Sequence, residues 1–300
     1  VNIEISYAQL TNQRFLRVRG ADADAFLQAL LAIDITGLPG NGARLAPWLS
    51  AKGRVTALFS LARLEPGDWL LATDSSQAQT LAKRLQLFVL RSAVEVLPAD
   101  QAWQARVVYL GDEPGPLPTA ADDQNWTATD SLLGRRTAPG CLEVWGPIAA
   151  LEQLTADLPK AAAGLTYWHY QWVANGWPRI TAGEQDRFTA HMLNLDLLDA
   201  VSFTKGCYPG QEVVARTQNL GRPKRRTLLF SCASALPEPG QALVDEQGRS
   251  WGQILNSAAG SPHLALAVVT LAELPASLVL DTPQGAPLQR TALPYPIPPA

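Results

Sequence analysis

Hydrophobic and polar positions along the first hundred residues switch between two periods. Phe15 to Val18 alternate as a strand does, and Phe26, Leu27, Leu30 and Leu31 then recur at helical spacing, with Gly20 marking the change. Val55 to Leu64 reads as a long extended stretch. The Gly67-Asp68 turn follows, then a short strand at Trp69 to Ala72 and a helix opened by Ser75 or Ser76 that carries Leu81, Leu85 and Phe88. This is the pattern of helices packed on a sheet, an α+β unit. Between Gly111 and Gly134 the chain is rich in Pro, Asp, Gly and Thr, which predicts an exposed loop or boundary. Structure resumes at Cys141 to Trp145. A helix is expected from about Ile148 to Leu158, and another from Thr166 to Ala174 stops at Asn175-Gly176, with Pro178 beyond it. After Lys224 only short strands are predicted: Thr227 to Cys232, Gln241 to Val244, Trp251 to Leu255, Leu264 to Val269 and Ser277 to Leu280. Gly and Pro turns divide them, as in a small all-β domain closed into a barrel, and the Pro-rich tail Leu293 to Pro299 reads as an extended closing segment.

Composition adds limits. With 300 residues, 47% of them hydrophobic and 17% charged, the chain is long enough for two or three domains. The patterning divides it into an N-terminal α+β region over 1–100, which is allowed to be discontinuous, a second α+β region over 101–222 and the barrel over 223–300. A net charge of -3 argues against a surface that coats nucleic acid or anionic membrane throughout, so any basic site is local. Cys141, Cys207 and Cys232 are far apart and form no CxxC pair, which suits a reducing compartment and leaves zinc or an iron–sulfur cluster without four soft ligands. No apolar run is long enough to span a bilayer and Val1 to Ile5 carries no leader pattern, so the expectation is a soluble cytoplasmic protein with no membrane partner.

The richest chemistry lies in Lys205-Gly206-Cys207-Tyr208-Pro209-Gly210-Gln211-Glu212, just before Val213-Val214-Ala215-Arg216, a stretch able to open a helix. A nearby ammonium and a helix N-terminus both favour a thiolate, which makes Cys207 a candidate nucleophile, redox-sensitive thiol or metal ligand. A small buried hydrophobe is the competing reading. His169, His191 and His263 are scattered, so spacing supplies no Cys-His arrangement. Arg216, Arg222, Lys224, Arg225 and Arg226 form a basic run without an intervening carboxylate, suited to ligand carboxylates, to RNA phosphates or simply to solvent.

That eight-residue segment closely resembles the K-G-C-Y-x-G-Q-E signature of the YgfZ family. The resemblance extends to Ala51-Lys52-Gly53-Arg54, Asn194-Leu195, Lys224-Arg225-Arg226 and Leu293-Pro294-Tyr295. It implies a three-domain aminomethyltransferase-like fold, similar to the T-protein of the glycine cleavage system, around a central opening that binds tetrahydrofolate or a derivative. It also implies an accessory role in iron–sulfur cluster assembly or repair, with iron–sulfur proteins or their assembly machinery as partners and tRNA modification as the consequence. Direct tRNA binding is the weaker reading, because no RRM or KH signature is present. On the family's pattern Cys207 and Lys205 are the candidate reactive pair, and Trp168, Tyr208, Gln211, Glu212, Arg216 and Arg226 the candidate folate contacts. The family's second tryptophan falls near Gln13. T-protein enzymes carry an acidic pair in a G-x-[VI]-x-D-D segment; here it reads Gly53-Arg54-Val55-Thr56-Ala57-Leu58, without a carboxylate. A folate-dependent transferase on an unknown substrate is therefore the alternative, and an RNA- or protein-binding module regulated by folate a second one.

Overall fold

Which residues alternate and which run continuously is explained by how many faces of each strand are covered. The computed structural model describes residues 5–36, 38, 43–110, 127–129, 131–138, 140–221 and 223–298. Most of the loop expected between Gly111 and Gly134 lies outside them, as does Arg222. In chain order the elements are β1 (Ser6–Gln9), β2 (Gln13–Arg19), α1 (Ala23–Leu30), β3 (Ala43–Leu49), β4 (Val55–Glu65), β5 (Asp68–Asp74), α2 (Ala78–Val89), β6 (Glu95–Pro98) and β7 (Trp103–Tyr109). Then follow β8 (Thr127–Thr129), β9 (Leu132–Ala138), β10 (Cys141–Pro147), α3 (Ile148–Leu154), α4 (Gly164–Ala174), a 3-10 turn at His191–Leu193 and α5 (Gln211–Leu220). The last strands are β11 (Arg225–Cys232), β12 (Ala242–Val244), β13 (Ser250–Ala258), β14 (His263–Thr270), β15 (Leu278–Leu280) and β16 (Pro287–Thr291).

One sheet has the order β3-β4-β5-β2-β6. Leu16, Val18, Ala57, Phe59 and Leu61 pack with Leu27, Leu81 and Leu85 of α1 and α2, whereas Phe15, Val55, Leu58 and Ala62 join the central core with Trp145, Trp168 and Trp172. Both faces are thus covered, which is why β4 reads as a nearly unbroken apolar run. A second sheet has the order β1-β7-β10-β9-β8. Because β1 pairs with β7, the segment before the first sheet belongs to the second. The last six strands close into a barrel in the order β11-β14-β13-β12-β15-β16.

Of the strands the pattern did not reveal, three share a physical cause. Proline interrupts β3 at Pro47, ends β6 at Pro98 and begins β16 at Pro287; β3 and β6 are sheet edges, where a missing N–H is tolerated.

Hydrogen bonds from several barrel residues fix the barrel to the rest. Tyr295 in the closing segment donates to the Gly176 carbonyl at 2.9 Å, and Asn256 of β13 both accepts from the Arg179 N–H and donates to the Arg179 carbonyl. Buried Arg226 of β11 grips Asp196 with two nitrogens, at 2.9 and 2.8 Å. Removing one member strands the other charge in the interior, so Asp196→Ala is expected to lower the unfolding free energy by about 3–5 kcal/mol in chemical denaturation.

Candidate functional site

Residues 205–212 form an anchored loop. Gly210 adopts φ +79 and caps the start of α5, and a Cβ there would lie 2.5 Å from the Ser50 carbonyl and 2.7 Å from the Gly53 Cα. The turn at Ser50–Gly53 is therefore seated directly on the loop. Lys205 is 8% exposed, and its ammonium donates to the Gln28, Leu31 and Ile33 carbonyls around the C-terminal end of α1, where the helix dipole favours a cation. Burial pushes its pKa down to about 8. Sequence spacing set this ammonium beside the Cys207 thiol; its hydrogen bonds lie with the first sheet's helix instead. Tyr208 is buried, its ring 5.5 Å from the Lys205 ammonium and its hydroxyl donating to the Ser202 carbonyl. Gln211 donates to the Lys205 carbonyl. Cys207 is the exposed cysteine of the three, beside Gly206, around which there is open space; Cys141 and Cys232 are buried.

The other sequence-derived candidates go elsewhere. Glu212 and Arg216 form an exposed i,i+4 ion pair on α5, and Arg226 is the buried partner of Asp196. Trp168 has no exposed surface, and its indole N–H donates to Glu143. Among the described residues no group of three His, Cys, Asp or Glu side chains is placed to hold a metal ion.

Glu143 is the centre of a polar network that sequence reasoning passed over, although a carboxylate inside the apolar strand Cys141–Pro147 is itself a signal. It is fully buried and accepts from Trp145 at 2.9 Å, Trp168 at 3.1 Å, Arg135 at 3.2 Å and Gln13 at 3.3 Å. The Arg135 guanidinium lies 4.8 Å from the Trp172 ring and 4.3 Å from the Trp177 ring.

Beside this network the first sheet and the α4 turn enclose a cleft. Its walls include Gln13, Leu45, Leu58, Asp74, Trp172 and Arg179, around a cavity of about 30 Å³. That is room for roughly one or two waters, so the cleft is narrow. Two wall residues carry a buried polar atom without a partner: Gln13 Oε1, an acceptor, and Trp172 Nε1, a donor. Native interiors leave few such atoms unsatisfied. At the rim Arg179 pairs with Asp74 at 2.6 Å and contacts the His169 ring nitrogen at 2.9 Å.

Burial first, and the Arg179 guanidinium second, push the His169 pKa down to about 4, with Asp74 opposing. Between pH 6.5 and about 4 the unfolded chain binds this proton and the folded chain does not. Stability from this group is thus complete above pH 6.5 and declines on acidification, by about 3 kcal/mol in all. Denaturant unfolding of wild type and His169→Gln across that range should show the difference between them shrinking as pH falls; a constant difference would contradict it.

No family model matches the chain. The tRNA-modifying protein YgfZ of Escherichia coli O157:H7 is 30% identical, over 78% of this chain and 74% of that protein. The protein of the same name from Edwardsiella ictaluri is 29% identical, over 94% of this chain and 89% of its own length. Among solved structures, the glycine cleavage system aminomethyltransferase T of Bartonella henselae superposes with a TM-score of 0.76 over 98% of this chain and 86% of that one, at 16% identity, which establishes a shared fold. With the signature loop, the barrel and these relatives together, the chain belongs to the YgfZ family.

Proposed function

We propose that this chain binds a reduced folate in the cleft and serves tRNA modification as an accessory protein, acting through the assembly or repair of iron–sulfur enzymes. The relatives' name, tRNA-modifying protein, supports the process, and the aminomethyltransferase fold supports the ligand class. The observation that carries the folate reading is that two residues lining the cleft, Gln13 and Trp172, each keep a buried polar atom without a partner, Oε1 and Nε1.

The residues present suit a pterin. A flat heteroaromatic ring needs apolar faces, which Leu45, Leu58 and the Trp172 indole supply, and an edge of alternating donors and acceptors, which Gln13 Oε1 and Trp172 Nε1 complement. When bound, the folate supplies a carrier for one-carbon units. The chain's own residues orient it. Glu143 holds the Gln13 amide by its N–H, leaving the oxygen for the ligand, and the Arg179–Asp74 pair closes the rim. Trp168 serves the cleft indirectly, by donating to Glu143. Cys207, on its anchored loop, is the group offered to a partner protein or sulfur species.

A transferase is the second reading, favoured by one contact. The Asp186 carboxylate accepts from Thr56 Oγ1 at 2.6 Å, so a carboxylate from elsewhere reaches the segment that lacks the T-protein acidic pair.

Calorimetric titration with tetrahydrofolate is expected to give saturable binding, weakened roughly tenfold or more by Gln13→Leu and by Trp172→Phe, each of which removes one hydrogen bond to the ring. Absence of binding by wild type, or full affinity in both variants, would overturn the reading.

A further inference from the structure

A second cavity lies on the other side of Gln13, between the turn Thr11 to Phe15 and the start of β7. Gln13 lines both this cavity and the cleft, so the two lie side by side. Its volume is about 260 Å³, against about 30 Å³ for the cleft. Its other walls include Leu10, Arg14, Phe15, Asp100 and Trp103.

Arg14 decides what the cavity suits. Its guanidinium is turned over the Thr11–Gln13 turn by donating from Nη1 to the Thr11 and Gln13 carbonyls, at 2.9 and 2.8 Å, and it is half-buried. Among the described residues it has no carboxylate within ion-pair distance. Arg17 and Arg19 on the same strand, by contrast, are paired with Asp68 and Glu95. Asp100, the one acid on the wall, gives an oxygen to the Phe15 N–H at 2.7 Å. Trp103 adds a half-buried indole. A cation without a counter-ion beside an aromatic ring is suited to an aryl group that ends in a carboxylate.

We propose that this cavity receives the aryl-carboxylate tail of the same ligand whose ring occupies the cleft, with Arg14 as the residue that binds the carboxylate. The proposal rests on the folate reading and refines it. It takes the tail's cation from the start of β2; Arg216 and Arg226 are already held by Glu212 and Asp196.

Three probes separate the parts: methyltetrahydropterin, which has the ring alone; aminobenzoylglutamate, which has the tail alone; and tetrahydrofolate, which has both. Calorimetry on wild type and Arg14→Gln should show tetrahydrofolate and aminobenzoylglutamate each weakened about tenfold or more by loss of the charge-assisted contact, with methyltetrahydropterin unchanged. Arg14→Lys should recover part of the loss, and thermal melting of each variant confirms that it is folded. Equal affinities in wild type and Arg14→Gln, or equal weakening of all three probes, would overturn the proposal. Should neither ring-bearing probe bind wild type, the folate reading fails. The cavity is then judged on aminobenzoylglutamate alone: binding that Arg14→Gln abolishes supports the carboxylate site, and no binding overturns it.

Discussion

A fully buried carboxylate has to be satisfied, and in this chain that demand organises the centre of the molecule. Burying Glu143 without partners would cost several kcal/mol, so its two oxygens need donors of good geometry. They come from four elements: Gln13 from β2, Arg135 from β9, Trp145 from β10 itself and Trp168 from α4. Strands of both sheets and helix α4 thus converge on one point. The arrangement also determines what is left over. Trp168 is turned inward, Arg135 is laid between Trp172 and Trp177, and Gln13 keeps an oxygen without a partner beside the cleft.

The signature loop works by a similar rule at the opposite edge of the first sheet. Lys205 gives its ammonium to three carbonyls around the end of α1, and Gly210 admits the Ser50–Gly53 turn at a distance no side chain would allow. Most of the segment's residue types are therefore explained by holding units together. Cys207 differs, being exposed on a rigid support, which is the placement a thiol needs to meet another molecule.

Local pattern carried much of the fold. The apolar run of β4, the helical spacing of α1 and α2, the Asn175-Gly176 stop and five of the six barrel strands are legible, because each depends on neighbours in sequence. Pro-bearing edge strands are not, since their tolerance for proline depends on having no partner on one side. The family signature located the loop but not its contacts. Lys205 lies next to Gly206 and Cys207 in the chain, yet its ammonium bonds to carbonyls 172 to 177 residues away. The cleft was the least legible part. Gln13 was marked only as the place of a missing tryptophan. Trp172, Asp74, Arg179 and Glu143 carry no motif, because their meaning lies in contacts between distant elements. The basic run misled for the same reason: charge counts do not reveal that Arg226 is buried against Asp196.

On the folate reading the cleft between the first sheet and the α4 turn is the ligand site, prepared by Glu143 through Gln13. A crystal structure of the protein with tetrahydrofolate tests it most directly. The account predicts the ring between Leu45, Leu58 and Trp172, hydrogen-bonded to Gln13 Oε1 and Trp172 Nε1. A ring bound elsewhere, with Gln13 Oε1 and Trp172 Nε1 still unpartnered, would contradict it.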